Sequence, residues 1–434
     1  MNWFASTAGI NSMTRMIGRN VIKLTQGVAL ACIFTTTVEA ASTDWPQWRG
    51  QNRDGKSAET GLLKEWPASG PALRWTATGL GAGYVGLAVV GDRIYTAGDR
   101  EDSSYVLAYK VADGKPLWAT KIGKAGAPGW GGFAGPRAVP TVSGNLVFAV
   151  DQWGDMVCVD AGTGQEKWRK NFKKDFGGER PEWGFSESPL VDGDKVVVTP
   201  GGPQGAIVAL KKDTGALIWQ TKGFTDPAHY SSMIVGEIGG VRQYIQLTPA
   251  NVVGVAADGK VLWQAERKGK TAVIPTPVYK DGFVYVTSGY GVGCNLFKVT
   301  AEGGKFSATQ VYEKKPIDNH TGGVIEVGGM IYGHSDKGGW TCQDMKIGDI
   351  KWQDGKFGKG SISYADGMFI LRQEDKAKGT VALIEASPEG YKEHGRFDQP
   401  NLSGKNTWPH PVIADGKLYL RDQDTLLCYD IKGK

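Results

Sequence analysis

The stretch SPLVDGDKVVVTPGGPQGAIVALKKDTGALIW, Ser188 to Trp219, decides the fold. Its first run, Ser188-Pro189-Leu190-Val191, turns at Asp192-Gly193-Asp194 into Val196-Val197-Val198. A Gly-rich loop leads to Ile207-Val208-Ala209-Leu210, which turns at Asp213-Thr214-Gly215 into Ala216-Leu217-Ile218-Trp219. These are short β-branched and aromatic runs separated by turns in which Asp bonds its own backbone and Gly supplies positive φ. The stretch therefore reads as four antiparallel strands.

The unit recurs. Gly, three residues and Trp are spelled at Gly114–Trp118, Gly164–Trp168, Gly215–Trp219, Gly259–Trp263 and Gly348–Trp352. A repeat of roughly 40 to 50 residues marks propeller blades or another stacked array. Helical repeats would need apolar residues at three- and four-residue spacing, and these runs alternate instead. Blades open near Gly86, Ala138, Ser188, Ser232, Thr276, Gly323, Ser361 and Pro409, which makes eight. The last repeat stops at Lys434 without a Trp strand, and a spare one, Ala72-Leu73-Arg74-Trp75-Thr76, lies near the N-terminus. Pairing the two would complete the eighth blade and remove a sheet edge. The expectation is an all-β, eight-bladed propeller with four-stranded blades, closed by an N-terminal strand.

Three segments follow: a leader at 1–40, an N-terminal extension at 41–70, and the propeller at 71–434. Arg15, Arg19 and Lys23 precede an apolar run from Gly27 to Phe34, and Val38-Glu39-Ala40 offers small residues for cleavage, the pattern of a secretory signal peptide. The apolar run is too short to span a membrane. Cys32 after Ala29-Leu30-Ala31 offers a lipoprotein alternative, disfavoured by Ala three residues before the Cys, and Met13 or Met16 is an alternative start. The expected location is periplasmic or secreted, with a monomeric propeller and no transmembrane span.

A repeat ring grows by adding blades, so 434 residues need no second core. The formal charge of +5 is spread along the chain and implies no nucleic acid partner. Cys158, Cys342 and Cys428 fall at one position of the third strand in non-adjacent blades, where other blades carry Ala108, Ala209 and Gly254. They are expected to be free thiols packed as small hydrophobes, out of disulfide reach. Cys294 reads differently, as part of a Gly-rich loop.

In a propeller the loops before the first strands ring the channel mouth. That places Tyr84, Arg137, His229 with Tyr230, His320 and Trp408 around it, with Glu187 and His410 slightly further in. Trp183, outside the repeat position, is a candidate for stacking on a flat ligand. Arg137 could take a carboxylate through a bidentate bond or pair with Glu187. His320, after Asn319, is a candidate proton acceptor, although a lone His is more often structural. The five repeat Trp residues read as core. No zinc-type His or Cys spacing and no Gly-x-Ser-x-Gly elbow occurs, Gly162-Thr163-Gly164 opens a strand hairpin and lacks a P-loop's Lys-Ser or Lys-Thr, and no metal site is assigned. The acidic turns Asp99–Asp102 and Asp422–Asp424 do not follow the helix-flanked calcium loop.

The blade pattern, a small residue, then Asp or Lys, then Thr-Gly or Asp-Gly, then Leu-Trp, resembles the quinoprotein repeat of the PQQ-binding-like β-propeller family. The resemblance runs from Leu73 to Lys432. Asp44-Trp45-Pro46-Gln47-Trp48-Arg49-Gly50, followed by Asn52-Arg53-Asp54-Gly55, is similar to the N-terminal segment of exported propellers of planctomycete-type bacteria. The family implies one of two roles. Quinoprotein dehydrogenases oxidise alcohols or sugars with PQQ and calcium; cofactor-free members include the assembly lipoprotein of the outer-membrane β-barrel machinery. The dehydrogenase branch implies adjacent cysteines and a calcium-binding Glu, Asn and Asp. Only Glu187 and Asn319 match by approximate position, so no cofactor is assigned, and PQQ with calcium stays as the alternative. The expected role is a binding or scaffold module whose partner is an envelope protein or a small-molecule or carbohydrate ligand.

Overall fold

The computed structural model describes residues 43–433, so the leader readings at 1–40 lie outside the described residues. Eight four-stranded antiparallel sheets follow one another around a ring. Blade 3 is the opening stretch: Leu190–Asp192, Lys195–Val198, Val208–Lys211 and Leu217–Gln220, paired in that order. Blade 8 contributes Val412–Ala414, Lys417–Asp422 and Thr425–Asp430, and its fourth strand is Ala72–Ala77 from the other end of the chain. Leu73 pairs with Tyr429 and Trp75 with Cys428, so the ring closes as expected.

The apolar cores lie between blades. Phe148, Cys158 and Trp168 of blade 2 pack with Val196, Val198 and Leu210 of blade 3, and comparable clusters fill the other junctions. The Gly-x-x-x-Trp repeat takes its meaning here. Each Trp docks onto the next blade, where its indole N–H donates to a turn carbonyl: Trp75 to Val111 (3.0 Å), Trp118 to Ala161 (3.2 Å), Trp168 to Lys212 (2.8 Å), Trp219 to Ala257 (3.0 Å) and Trp352 to Ser387 (2.9 Å). The Gly of that next blade is the seat. A Cβ on Gly215 (φ +68°) would lie 2.7 Å from the Trp168 ring, and one on Gly259 2.6 Å from Trp219. Trp263 departs from this, donating to Gln243 Oε1 of its own blade, and in blade 5 Tyr312 substitutes, its hydroxyl on the Met345 carbonyl (2.7 Å).

The register explains the cysteines. Cys158, Cys342 and Cys428 each face a repeat Trp across the strand pair, as Ala108, Ala209 and Gly254 do. The position must be small because an indole lies over it. These three thiols and Cys294 are free and buried. The loop reading of Cys294 is corrected: it is the second residue of the strand Gly293–Glu302 and packs with Tyr285 and Leu296. Glycine density misled there, because the glycines belong to the hairpin turn that precedes the strand.

Residues 44–63 run into the ring, and blades 1, 2, 3, 5, 6, 7 and 8 each exchange a hydrogen bond with them. Trp45 pairs with Val89, the Pro46 carbonyl accepts from Val142, and Ser57 N–H donates to Tyr364. Trp48 Nε1 donates to Thr276 Oγ1 (2.8 Å), Glu59 accepts from Gly416 N–H, and Arg53 donates to the Ser188 and Pro189 carbonyls (2.8 and 3.0 Å). Arg49 donates to the Val324 carbonyl (2.5 Å). Both guanidiniums are buried, and both residues hold left-handed φ (61° and 58°), a conformation tolerated because these bonds fix it.

Candidate functional site

One cavity of about 470 Å³ opens at the channel mouth, and the loop before every blade's first strand contributes to its wall. Tyr84, Arg137, Tyr230, His320, Trp408 and His410 line it, and so does Trp183. Trp48 of the inserted segment also lines it, edge-on to His410 (centroids 4.8 Å apart). Three expected residues do not line it. Glu187, His229 and Asn319 turn into the loops instead.

Their partners show why. Glu187 accepts from Thr199 N–H (2.5 Å), Thr199 Oγ1 (3.1 Å) and Gln246 Nε2 (2.9 Å), bracing blade 3 against blade 4. It does not pair with Arg137, so that alternative is corrected. His229 Nδ1 accepts from Val273 N–H (2.9 Å), and burial pulls its pKa down to about 4. Asn319 donates to the His334 carbonyl (3.0 Å) and accepts from Thr321 N–H (3.1 Å), shaping the turn that presents His320.

Residue spacing alone places a loop at the mouth, but not the direction in which each side chain points. Burial pushes the Glu187 carboxyl up to about 7, against bonds from Thr199 that favour the anion. Its folded value lies above the ordinary 4.5, so its stabilising contribution is full below that pH and is lost as pH rises through about 7. Glu187→Gln carries no such proton. Between about pH 4 and 8 the wild type is expected to lose on the order of 1–3 kcal/mol relative to this variant. Urea unfolding at both pH values measures the difference; parallel pH profiles for the two proteins would contradict it.

Two glycine-rich loops supply residues that sequence reasoning missed. Trp130 and Phe133 lie between blades 1 and 2, in a loop that approaches blade 1 so closely that a Cβ on Gly135 would meet the Ala82 carbonyl at 2.2 Å. Tyr290 follows Gly289, where a Cβ would collide with the His320 ring at 2.3 Å. Aromatic residues set among glycines, between blades for Trp130 and Phe133 and in a hairpin turn of blade 5 for Tyr290, were the available signal.

The rings form two groups. Tyr84, Phe133 and Trp408 cluster with centroids 4.5 to 6.0 Å apart, and Trp183 bridges Trp130 (5.6 Å) and Tyr230 (5.9 Å). The short helix Phe172–Phe176 supports the second group. Its Phe172 packs on Phe185 (5.0 Å), which anchors the loop carrying Trp183.

Arg137 donates to the Gly135 and Phe133 carbonyls (2.7 and 2.6 Å) and lies 5.9 Å from the Tyr84 ring centre. Burial lowers its pKa to about 10, so it stays cationic at neutral pH. Lys359 sits between Asp336 (3.6 Å) and Glu374 (4.0 Å), and Glu374 accepts the Trp408 indole N–H (2.7 Å). His320 Nδ1 contacts Asp336. His410 Nε2 meets the Thr321 carbonyl (2.6 Å), and burial holds its pKa near 3, so the ring is neutral and donates that bond.

A quinone with calcium does not fit these residues. Calcium takes six to eight oxygen ligands. Glu187 and Asn319 are committed to Thr199, Gln246 and the His334 carbonyl, and the lining carboxylate, Glu374, is committed to Trp408 and Lys359. Among the described residues no group of three acidic, His or Cys side chains could hold a metal ion. Asp99 is bonded by Gly126 and Gln152, and Asp422 by Ser403.

Fold and cavity together define the class: a ring-closed, eight-bladed β-propeller with one aromatic-walled cavity at its channel mouth. The chain belongs to the PQQ-like propeller family whose model is described as outer membrane protein assembly factor BamB; that model matches residues 102–354, more than half of the chain. The BamB of Escherichia coli (strain K12) is 24% identical over 204 residues, 42% of this chain and 45% of that protein. The BamB of Burkholderia pseudomallei (strain K96243) is 27% identical over 235 residues, 53% of this chain and 56% of that protein. The chain thus spans about half the length of the curated relatives it matches.

Among solved structures, BamB from Moraxella catarrhalis superposes with a TM-score of 0.57 at 15% identity, covering 81% of this chain and 95% of that one. The quinohemoprotein alcohol dehydrogenase of Comamonas testosteroni gives 0.57 at 13% identity, over 90% and 81%. At such identities the likeness is one of fold. No helix among the described residues is long and apolar enough to cross a membrane.

Proposed function

We propose that this protein is an exported binding or scaffold module of the cell envelope and that the channel-mouth cavity is its binding element. The observation that carries this reading is the cavity wall itself, with loops from all eight blades converging on aromatic rings. Trp130 stands 69% exposed there, with its ring against Trp183. The envelope location is supported by the leader pattern and by relatives described as outer membrane protein assembly factors. The dehydrogenase reading is disfavoured by the engagement of Glu187 and Asn319.

Arg137→Ala and Trp408→Ala are expected to lower retention of the protein's partner from envelope extracts at least about tenfold while leaving the melting temperature within a few degrees. Quantitative pull-down beside thermal melting checks this. Unchanged retention by both variants would remove the cavity from the function. Calcium-dependent PQQ binding, with dye-linked oxidation of an alcohol or sugar lost in Glu187→Gln, would establish the dehydrogenase instead.

A further inference from the structure

We infer that the cavity takes an acidic sugar, a uronate residue within a saccharide, with its ring against the Trp408 cluster and its carboxylate on Arg137. The inference rests on the cavity being a binding site and names the chemistry of what it binds. Three features of the wall converge on such a ligand.

The first is charge. The Arg137 guanidinium is anchored by two carbonyls of its own loop and set against the Tyr84 ring, with no carboxylate among its hydrogen-bond partners. Two of its five N–H donors are used, which fixes the fork and leaves donors for a ligand. A cation fixed among rings with no carboxylate hydrogen-bonded to it favours an anion and disfavours a cationic guest.

The second is shape. The Tyr84, Phe133 and Trp408 rings, 4.5 to 6.0 Å apart, form an apolar wall suited to the C–H face of a pyranose. The volume of about 470 Å³ suits a small saccharide.

The third is the Lys359–Glu374 pair, which presents a donor and an acceptor side by side. Vicinal hydroxyls satisfy such a pair. A planar aromatic acid satisfies the first two features and offers this pair no hydroxyls.

Calorimetric and tryptophan-fluorescence titration of the mature protein decides the matter, with trigalacturonate as the probe, cellotriose as its uncharged counterpart, and PQQ as a planar acid. Trigalacturonate is expected to bind at least about tenfold more tightly than cellotriose, the worth of a charge-assisted hydrogen bond. Arg137→Gln should erase that preference while keeping residual cellotriose binding, and Trp408→Ala should abolish both. Circular dichroism and melting establish that both variants are folded. Equal or stronger binding of cellotriose, or no binding of either saccharide, overturns the inference. If PQQ or an envelope protein then binds in a Trp408-dependent way, the cavity remains a binding site and only the assignment to acidic sugars falls.

Discussion

A chain that begins at Gly79 is expected to lose cooperative unfolding altogether. The truncation removes Ala72–Ala77, the fourth strand of blade 8, and with it Trp75, whose indole donates to the Val111 carbonyl of blade 1 and sits on Gly114. It also removes the segment that bonds the first strands from the inside. Each blade of a closed ring is packed on both flanks, whereas an opened ring has two blades with one neighbour each and a bare edge on Thr425–Asp430. A second chain beginning at Pro71 keeps the strand but loses the inserted segment and the buried Trp66 that packs on Phe397, and it should fall between the two. Calorimetry of the three proteins tests this. A sharp transition at the full-length temperature for the Gly79 chain would show that closure contributes nothing.

Trp168→Ala should be the most damaging single substitution in the repeat, costing about 3–5 kcal/mol. Trp168 is buried against Phe148 at 5.9 Å, lies over Cys158 and on Gly215, and bonds the Lys212 carbonyl. The change leaves a large void at the junction of blades 2 and 3 together with an unmet carbonyl. Trp168→Phe should recover part of the loss, since it restores ring area without the N–H. Denaturant midpoints measure both. An alanine cost below about 1 kcal/mol would mean that the junction collapses around the gap.

The blades were legible because strand alternation and Asp-Gly turns are local properties, and each unit writes them again. Closure was legible because an unmatched strand at one end and a missing one at the other admit one pairing. The Gly-x-x-x-Trp spacing was only half legible. Read as a turn leading into a strand, it hides the fact that the Gly serves the Trp of the preceding blade, a relation between residues such as Trp168 and Gly215 that no local pattern displays. The channel mouth followed from topology, which puts one loop per blade there. Orientation did not: Glu187 and His229 turn toward Thr199 and Val273 because unsatisfied backbone N–H groups lie there, and those become visible only in three dimensions. The insertion of residues 44–63 was beyond reach for the same reason. Its partners, from Val89 to Gly416, are spread along the whole chain.

That inserted segment also acts as a gauge of ring size. Arg53 reaches blade 3 and Arg49, four residues earlier, reaches blade 6, while Trp45 and Ser57 fix the segment to blades 1 and 7. These anchor points are a fixed distance apart along an unbranched backbone. A ring with one blade more or one fewer would have a different diameter, and at least one guanidinium would be left short of its carbonyls or driven into them. The number of blades is thus specified twice, once by the count of repeats and once by a short peptide that fits a circle of only one circumference.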